Sequence, residues 1–201
     1  MLDYEINTFG PNQVVIGLDE VGRGCLAGPL VVGYVIFNSD YQNLKIKDSK
    51  KLSPKQREEV YLEIQRDALD FGYYVVSLEE IEKLGPKKAS ILGMEKCLKK
   101  ARIKYQIVLT DYEKIQTEKP LHNLVKGDSI AISIAAASIV AKVERDKIMD
   151  QLDLQFPQYF WKNNKGYGTK KHLESLEKFG PCKYHRIKYK PVLKYLNRGE
   201  K

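Results

Sequence analysis

The chain has 201 residues, enough to bury a proper core in one domain with a small appendage. Lysine and arginine number 34 against 26 aspartates and glutamates, a net charge of +8 that suits a polyanionic partner. Three widely spaced cysteines, Cys25, Cys97 and Cys182, form no CxxC pair, which argues against a disulfide framework or structural zinc and for a reducing compartment.

Residues 14–18 and 30–37 are apolar, β-branched runs that predict two buried strands. Between them lies a turn-rich segment carrying Asp19, Glu20, Arg23 and three glycines. Neighbouring residues on an extended chain point to opposite faces, so Asp19 and Glu20 share one site only if the backbone turns there. The glycines that follow make such a turn available. Residues 38–51 are polar and aperiodic. Ser53-Pro54-Lys55-Gln56 reads as a helix start, expected to run to about Asp70 with Gly72 just beyond it. Residues 73–76 predict a strand, and Ser77-Leu78-Glu79-Glu80 a second capping box. Pro86 is expected to break the helix that follows, and a further helix to cover 89–101. Residues 107–110 predict a short strand that also ends on an acid, Asp111.

Lys126-Gly127-Asp128-Ser129 opens the most hydrophobic helix, expected over about 130–154. Its Ala131, Ala135, Ala136 and Ala137 permit close packing on a sheet, and its polar positions Lys142, Arg145 and Asp146 come late. The longest apolar run, residues 130–141, is interrupted by serines and too short to span a bilayer. The first ten residues lack the basic region and apolar core of a signal peptide, so a cytoplasmic protein without membrane attachment is expected. Residues 156–165 form an aromatic, basic loop with the only tryptophan, Trp161. Thr169 is expected to cap a helix to about Phe179, and a basic tail follows with a short helix at 191–196. These elements are expected to divide into a main domain over 1–169 and a basic helical appendage over 170–201. Their order departs from strict βαβ alternation and supports an α/β fold with a mixed sheet.

Asp19-Glu20-Val21-Gly22-Arg23-Gly24, followed by Ala27-Gly28-Pro29, resembles the opening motif of the ribonuclease HII family. These type 2 ribonucleases H cut RNA or single ribonucleotides embedded in duplex DNA. The resemblance recurs at Lys47-Asp48-Ser49-Lys50-Lys51-Leu52, at Lys126-Gly127-Asp128-Ser129, along 135–146, and at Gly166-Tyr167-Gly168-Thr169, in the family's order. It implies a ribonuclease H-like mixed β-sheet flanked by helices, with a small C-terminal helical appendage.

Phosphodiester hydrolysis needs charge neutralised on the phosphate and an activated water, which two divalent cations about 4 Å apart supply. Mg²⁺ or Mn²⁺ takes carboxylate oxygens, and three scattered histidines offer little for zinc. Asp19, Glu20, Asp111 and Asp128 are the candidates, and the resemblance aligns them with the family's catalytic acids around two ions. Without cations, such acids repel by about 4 kcal/mol per close pair at an effective dielectric near 20. With these four set aside, 34 cations face 22 other acids, a surface of +12 around an acidic pocket. The family commonly has Gly-Asn after the third acid, whereas this chain has Tyr112-Glu113, which makes Glu113 the alternative ligand. Asp128 also has a plain structural reading at a helix N-terminus.

Glycines let a backbone approach a ligand, and a 2′-hydroxyl, both donor and acceptor, distinguishes RNA from DNA. The resemblance implies that the backbone of Gly22, Arg23 and Gly24 reads that hydroxyl. It also implies that Tyr167 packs on the next sugar, favouring a DNA nucleotide there. Lys47, Lys50, Lys142, Arg145, Lys165 and Lys170 are candidate phosphate contacts, with Lys50 and Lys142 first because they lie inside family motifs. His185-Arg186 resembles a late His-Arg of the family, while Ile187-Lys188-Tyr189 and Leu84-Gly85-Pro86 depart from its pattern. The expected protein is a monomeric endoribonuclease acting on RNA–DNA hybrids and on ribonucleotides in duplex DNA. It would cut 5′ of a ribonucleotide and leave 3′-hydroxyl and 5′-phosphate ends. Ribonuclease HIII, with an added N-terminal domain and no equivalent tyrosine, fits less well: about 13 residues precede the first strand, and Tyr167 is present. A non-catalytic hybrid-binding protein of the same fold is disfavoured by the four intact acids.

Overall fold

The computed structural model describes residues 3–196. In chain order the first elements are α1 (Tyr4–Phe9), β1 (Val14–Val21), β2 (Leu30–Asn38), α2 (Pro54–Asp67), β3 (Asp70–Val76), α3 (Leu78–Leu84) and α4 (Pro86–Lys100). They are followed by β4 (Ile107–Asp111), β5 (Leu121–Leu124), α5 (Ile132–Gln155), α6 (Trp161–Asn164), α7 (Lys170–Phe179) and α8 (Lys190–Leu193). The strands form one mixed sheet in the order β3-β2-β1-β4-β5. β1 and β2 pair antiparallel, as do β2 and β3, whereas β1 and β4, and β4 and β5, run parallel.

Alternation along β1 decides which helix each residue meets. Ile16 and Leu18 join Met94 and Cys97 of α4 in one core cluster. Gly17 faces α5, and a Cβ there would lie 2.3 Å from the Ser133 backbone. Gly33 of β2 meets Ala137 backbone at the same 2.3 Å. Two glycines on the sheet and a run of alanines on the helix therefore let α5 lie almost against the strands, with its first half fully buried. A third cluster, built from Leu26, Met149, Tyr159, Trp161, Leu176 and Val192, packs the C-terminal helices against the far end of α5.

Both predicted capping boxes form, Ser53 with Gln56 and Ser77 with Glu80. Several boundaries move for identifiable reasons. α2 ends at Asp67 rather than 70, because β3 begins at Asp70 to pair with Ile36. Gly72 thus lies inside a strand, where a Cβ would sit 2.8 Å from the Tyr34 ring. Gly85, at φ +76°, ends α3, and Pro86 opens α4 as its first residue rather than breaking a helix. α5 begins at Ile132, so Asp128 occupies a separate 3-10 turn, Gly127–Ser129, ahead of it. Neither α1 nor β5 was expected from the sequence. α1 places the buried Glu5 carboxylate against Ser133, accepting from its backbone N–H at 2.9 Å and its hydroxyl at 2.8 Å. Glu5 thereby serves the first turn of α5 as a cap from a distant segment.

Candidate active site

β1 and β4 run parallel with Leu18 beside Thr110, so their C-terminal ends set Asp19 next to Asp111. The Thr110 hydroxyl donates to the Glu113 carbonyl at 2.7 Å and fixes the turn that leaves β4. The backbone N–H of Gly127 donates to Asp111 at 2.8 Å, which draws in the 3-10 turn carrying Asp128. One carboxylate oxygen from each of Asp19, Asp111 and Asp128 lies within 4.8 Å of the others. Glu20, Gly22, Arg23, Gly24, Lys50, Lys142 and Tyr167 line the pocket around Asp19 and Asp111.

The charge balance at this cluster favours a cation. Burial, then the Glu20 and Asp111 charges, hold the Asp19 carboxyl well above its ordinary range, against the Ser138 hydroxyl and the Glu20 N–H. Burial pushes Glu20 up to about 7, opposed chiefly by Arg23. Burial and the neighbouring Asp128 raise Asp111, with the Gly127 N–H opposing. Lys50 reaches Asp128 at 3.5 Å, and its own pKa is raised by Asp128, Asp48 and Asp19 against the cost of burial. Desolvated acids crowded together, offering oxygen donors only, fit a hard divalent cation such as Mg²⁺ or Mn²⁺.

Three of the four expected acids are brought together, and Glu20 stands apart from them. The backbone does not turn at Asp19: β1 continues to Val21, opposite Val31. Glu20 therefore points to the α4 face, where its Oε1 lies 2.8 Å from the Arg23 guanidinium. Its Oε2 is buried without a hydrogen-bond partner. Arg23 also meets Glu113 at 2.9 Å and Ser90 at 3.2 Å. Its side chain is thus turned inward and tied down, not extended towards solvent. Glu113 is 1 % exposed and paired with a guanidinium, so it acts as an anchor for Arg23 rather than joining the three aspartates.

Gly22 adopts φ +102°, and the Arg145 side chain lies 2.2 Å from where its Cβ would be. Gly24 has nothing within 4 Å of that position, so the backbone there faces open space. Arg145 is fully buried and donates to the carbonyls of Pro29, Lys165 and Ala27. It is a support beneath the glycine-rich loop, which corrects the expectation of a phosphate contact. Lys142 bonds Asp146 at 2.7 Å, and Lys165 pairs with Asp150. Tyr167, 43 % exposed, presents its ring to the pocket about 6.0 Å from the Arg145 guanidinium. Sequence reasoning gave no role to Arg186, which is fully buried and donates to the carbonyls of Gly28 and Arg23. The only signal for it was its place in the late His-Arg pair.

Two aspartates at parallel strand ends and a third on the adjoining turn form a carboxylate cluster suited to divalent cations, the kind of site a metal-dependent nuclease uses. Comparison with known proteins agrees: residues 16–192 match the family model described as Ribonuclease HII. A ribonuclease HII from Mycoplasma capricolum subsp. capricolum is 45 % identical over 181 residues, covering 89 % of this chain and 87 % of that protein. One from Acholeplasma laidlawii is 46 % identical over 182 residues, covering 90 % of each. The crystal structure of the ribonuclease H2 from Pyrococcus horikoshii OT3 superposes with a TM-score of 0.80 over 94 % of this chain and all of that one, at 24 % identity, which shows the shared fold. The chain belongs to the ribonuclease HII family. It is a hydrolytic endoribonuclease of type H, metal-dependent and active on RNA–DNA hybrids.

Proposed function

We propose that the enzyme also incises duplex DNA on the 5′ side of a single embedded ribonucleotide, leaving 3′-hydroxyl and 5′-phosphate ends. The observation that carries this reading is that one pocket holds the carboxylates of Asp19 and Asp111, the Gly22–Gly24 backbone and the Tyr167 ring. Asp19, Asp111 and Asp128, with Glu20 across the pocket, would hold two Mg²⁺ or Mn²⁺ ions. Bound there, such ions neutralise charge on the phosphate and activate a water.

The chain's own residues supply selection. The open position at Gly24 leaves room for a ribose, with its 2′-hydroxyl, to approach the backbone. The Tyr167 ring packs on the next sugar, where an extra hydroxyl fits poorly. Lys50 and Lys142 bind phosphates beside the acids, and the enzyme acts as a cytoplasmic monomer. The test is cleavage of a DNA duplex with one ribonucleotide, in Mg²⁺ and in Mn²⁺, by wild type, Asp19→Asn and Asp111→Asn. The wild type is expected to cut once, 5′ of the ribonucleotide, and both variants to lose cleavage while remaining folded. Substantial cleavage by either variant at saturating metal would overturn the ligand assignment, and an intact duplex with wild type would overturn the incision.

A further inference from the structure

Tyr167 is held from behind by a chain of hydrogen bonds in which each proton has one place to be. Its carbonyl oxygen lies 2.9 Å from Nδ1 of His172. A carbonyl only accepts, so that nitrogen carries the proton. At the other end, the backbone N–H of Cys182 donates to Nδ1 of His185 at 3.0 Å. This nitrogen must be bare, which puts the His185 proton on Nε2. The two Nε2 atoms are 3.0 Å apart, so His185 donates to the bare Nε2 of His172. The Trp161 indole N–H points at that same nitrogen, 3.1 Å away. A second proton on either ring would set donor against donor, so both rings are neutral. Burial favours the same state, lowering His172 and taking His185 down to about 3.

We propose that His172 and His185 are positioning residues for Tyr167. They form a neutral relay of one direction that fixes the Gly166-Tyr167-Gly168 loop to the tail segment 182–186, and so sets how well the enzyme tells a single embedded ribonucleotide from a continuous hybrid. The relay rests on the reading of Tyr167 given above. Backbone bonds around it show why the tail has this reach. Gly28 N–H donates to the Tyr184 carbonyl at 2.9 Å, Arg186 N–H to Leu26 at 2.8 Å, and Leu26 N–H to Gly166 at 2.8 Å. The tail, the segment after the glycine-rich loop and the tyrosine loop are thus laced into one piece. The Tyr167 ring is open on its pocket side, so its aim depends on where its backbone is held.

The test uses the full chain and has two arms. Only three histidines are present, so ¹⁵N NMR of the ring nitrogens in the wild type reads each tautomer directly. At neutral pH the expected result is Nδ1-protonated His172, Nε2-protonated His185 and a scalar coupling across the hydrogen bond between the two Nε2 atoms. The opposite tautomer in either ring, or a charged ring, would overturn the relay. The second arm measures kcat/KM on a duplex with one ribonucleotide and on a continuous hybrid, for wild type, His172→Phe, His172→Asn, Tyr167→Ala and the double variant of His172→Phe with Tyr167→Ala. His172→Phe is expected to lower the ratio of the two several-fold, as Tyr167→Ala does. His172→Asn, which keeps a short donor near the carbonyl, restores part of it, and the double variant falls no further than Tyr167→Ala alone. If Tyr167→Ala lowers the ratio and a folded His172→Phe does not, the relay is overturned while the reading of Tyr167 stands. If Tyr167→Ala itself leaves the ratio unchanged, that reading has failed, and the positioning role fails with it. Should His172→Phe not fold, the ring tautomers of the wild type decide, and the absence of the predicted pair overturns the relay.

Discussion

Glu113 and Arg23 form an ion pair of 2.9 Å that ties the turn leaving β4 to the glycine-rich segment after β1. The same guanidinium sits 2.8 Å from Glu20, so one cation serves two glutamates, one buried and one partly buried. Glu113→Gln keeps the shape of the side chain and removes its charge. Arg23 then turns to Glu20 alone and holds it more firmly away from any cation. Breaking the pair is expected to cost about 1–2 kcal/mol, below the usual loss for a fully buried pair because Arg23 is one-third exposed. The Mg²⁺ concentration for half-maximal cleavage is expected to rise several-fold. Urea unfolding and a Mg²⁺ titration of hybrid cleavage check the two parts, and an unchanged Mg²⁺ midpoint would count against the coupling to Glu20.

Where the sequence was legible, the signal was local. The capping boxes at Ser53 and Ser77, the apolar runs of β1 and β2 and the alanines of α5 each carry their structure within a few residues. What was hidden depends on partners far along the chain. β5 is four half-buried residues whose strand character comes from pairing with β4, Leu121 beside Val108. Glu5 caps a helix whose first turn lies 128 residues away. Arg145 reads as a phosphate-contacting cation, and Arg186 only as half of a His-Arg pair, because spacing carries no sign of burial, yet distant carbonyls satisfy both. The Asp19-Glu20 pair was legible in type but not in direction, since the strand runs two residues past Asp19 before Gly22 breaks it.

Two glycines with opposite surroundings separate packing from function. Gly17→Ala would put a methyl group 2.3 Å from the α5 backbone, which cannot step aside as a side chain would. A loss of about 3 kcal/mol or more is expected, at the upper end for overpacked cores. Gly24→Ala meets nothing within 4 Å, so its stability should stay within about 0.5 kcal/mol of wild type. Its kcat/KM on ribonucleotide-containing duplex should nevertheless fall, because the added methyl occupies the space left for the substrate sugar. Thermal melting paired with cleavage rates checks both variants, and normal cleavage by Gly24→Ala would remove that segment from the substrate path.

Lys142 lines the pocket and is held by Asp146 one helical turn on, at 2.7 Å. A lysine already oriented towards the site loses little side-chain entropy on meeting a phosphate. Each phosphate neutralised on a duplex contributes about −0.9 to the slope of log affinity against log salt. Lys142→Ala is therefore expected to flatten that slope by about one unit and to weaken hybrid and all-DNA duplex alike. A change in substrate preference with no change in slope would mean that the lysine reads the sugar instead.

Stability against pH, measured without divalent cations, should carry opposing contributions: the raised acids Glu5, Asp19, Glu20 and Asp111 favour folding on acidification, and the lowered histidines oppose it. Glu20 has its carboxyl raised to about 7 in the folded chain, against an ordinary value of 4.5. The folded state then holds this proton more tightly than the unfolded one, so acidification from pH 7 towards 4.5 favours folding through Glu20. His185 behaves in the opposite way, because its folded value of about 3 lies below the ordinary 6.5. Below pH 6.5 the unfolded chain takes up that proton first, and the stability His185 contributes above pH 6.5 is lost progressively down to about 3. His172, also lowered, adds to the loss. Each unit separating folded and unfolded values is worth about 1.4 kcal/mol, so the Glu20 and His185 contributions are of similar size and oppose one another between pH 6.5 and 4.5. Glu20→Gln removes the first of these. At pH 8 this variant should be more stable than wild type by up to about 3 kcal/mol, and the difference should vanish by pH 4.5. As the pH falls from 7 to 4.5, the variant should gain less stability, or lose more, than wild type does. Urea midpoints of both proteins in EDTA, taken from pH 8 to 4.5, test this directly: parallel curves would show that Glu20 is not held protonated by its surroundings.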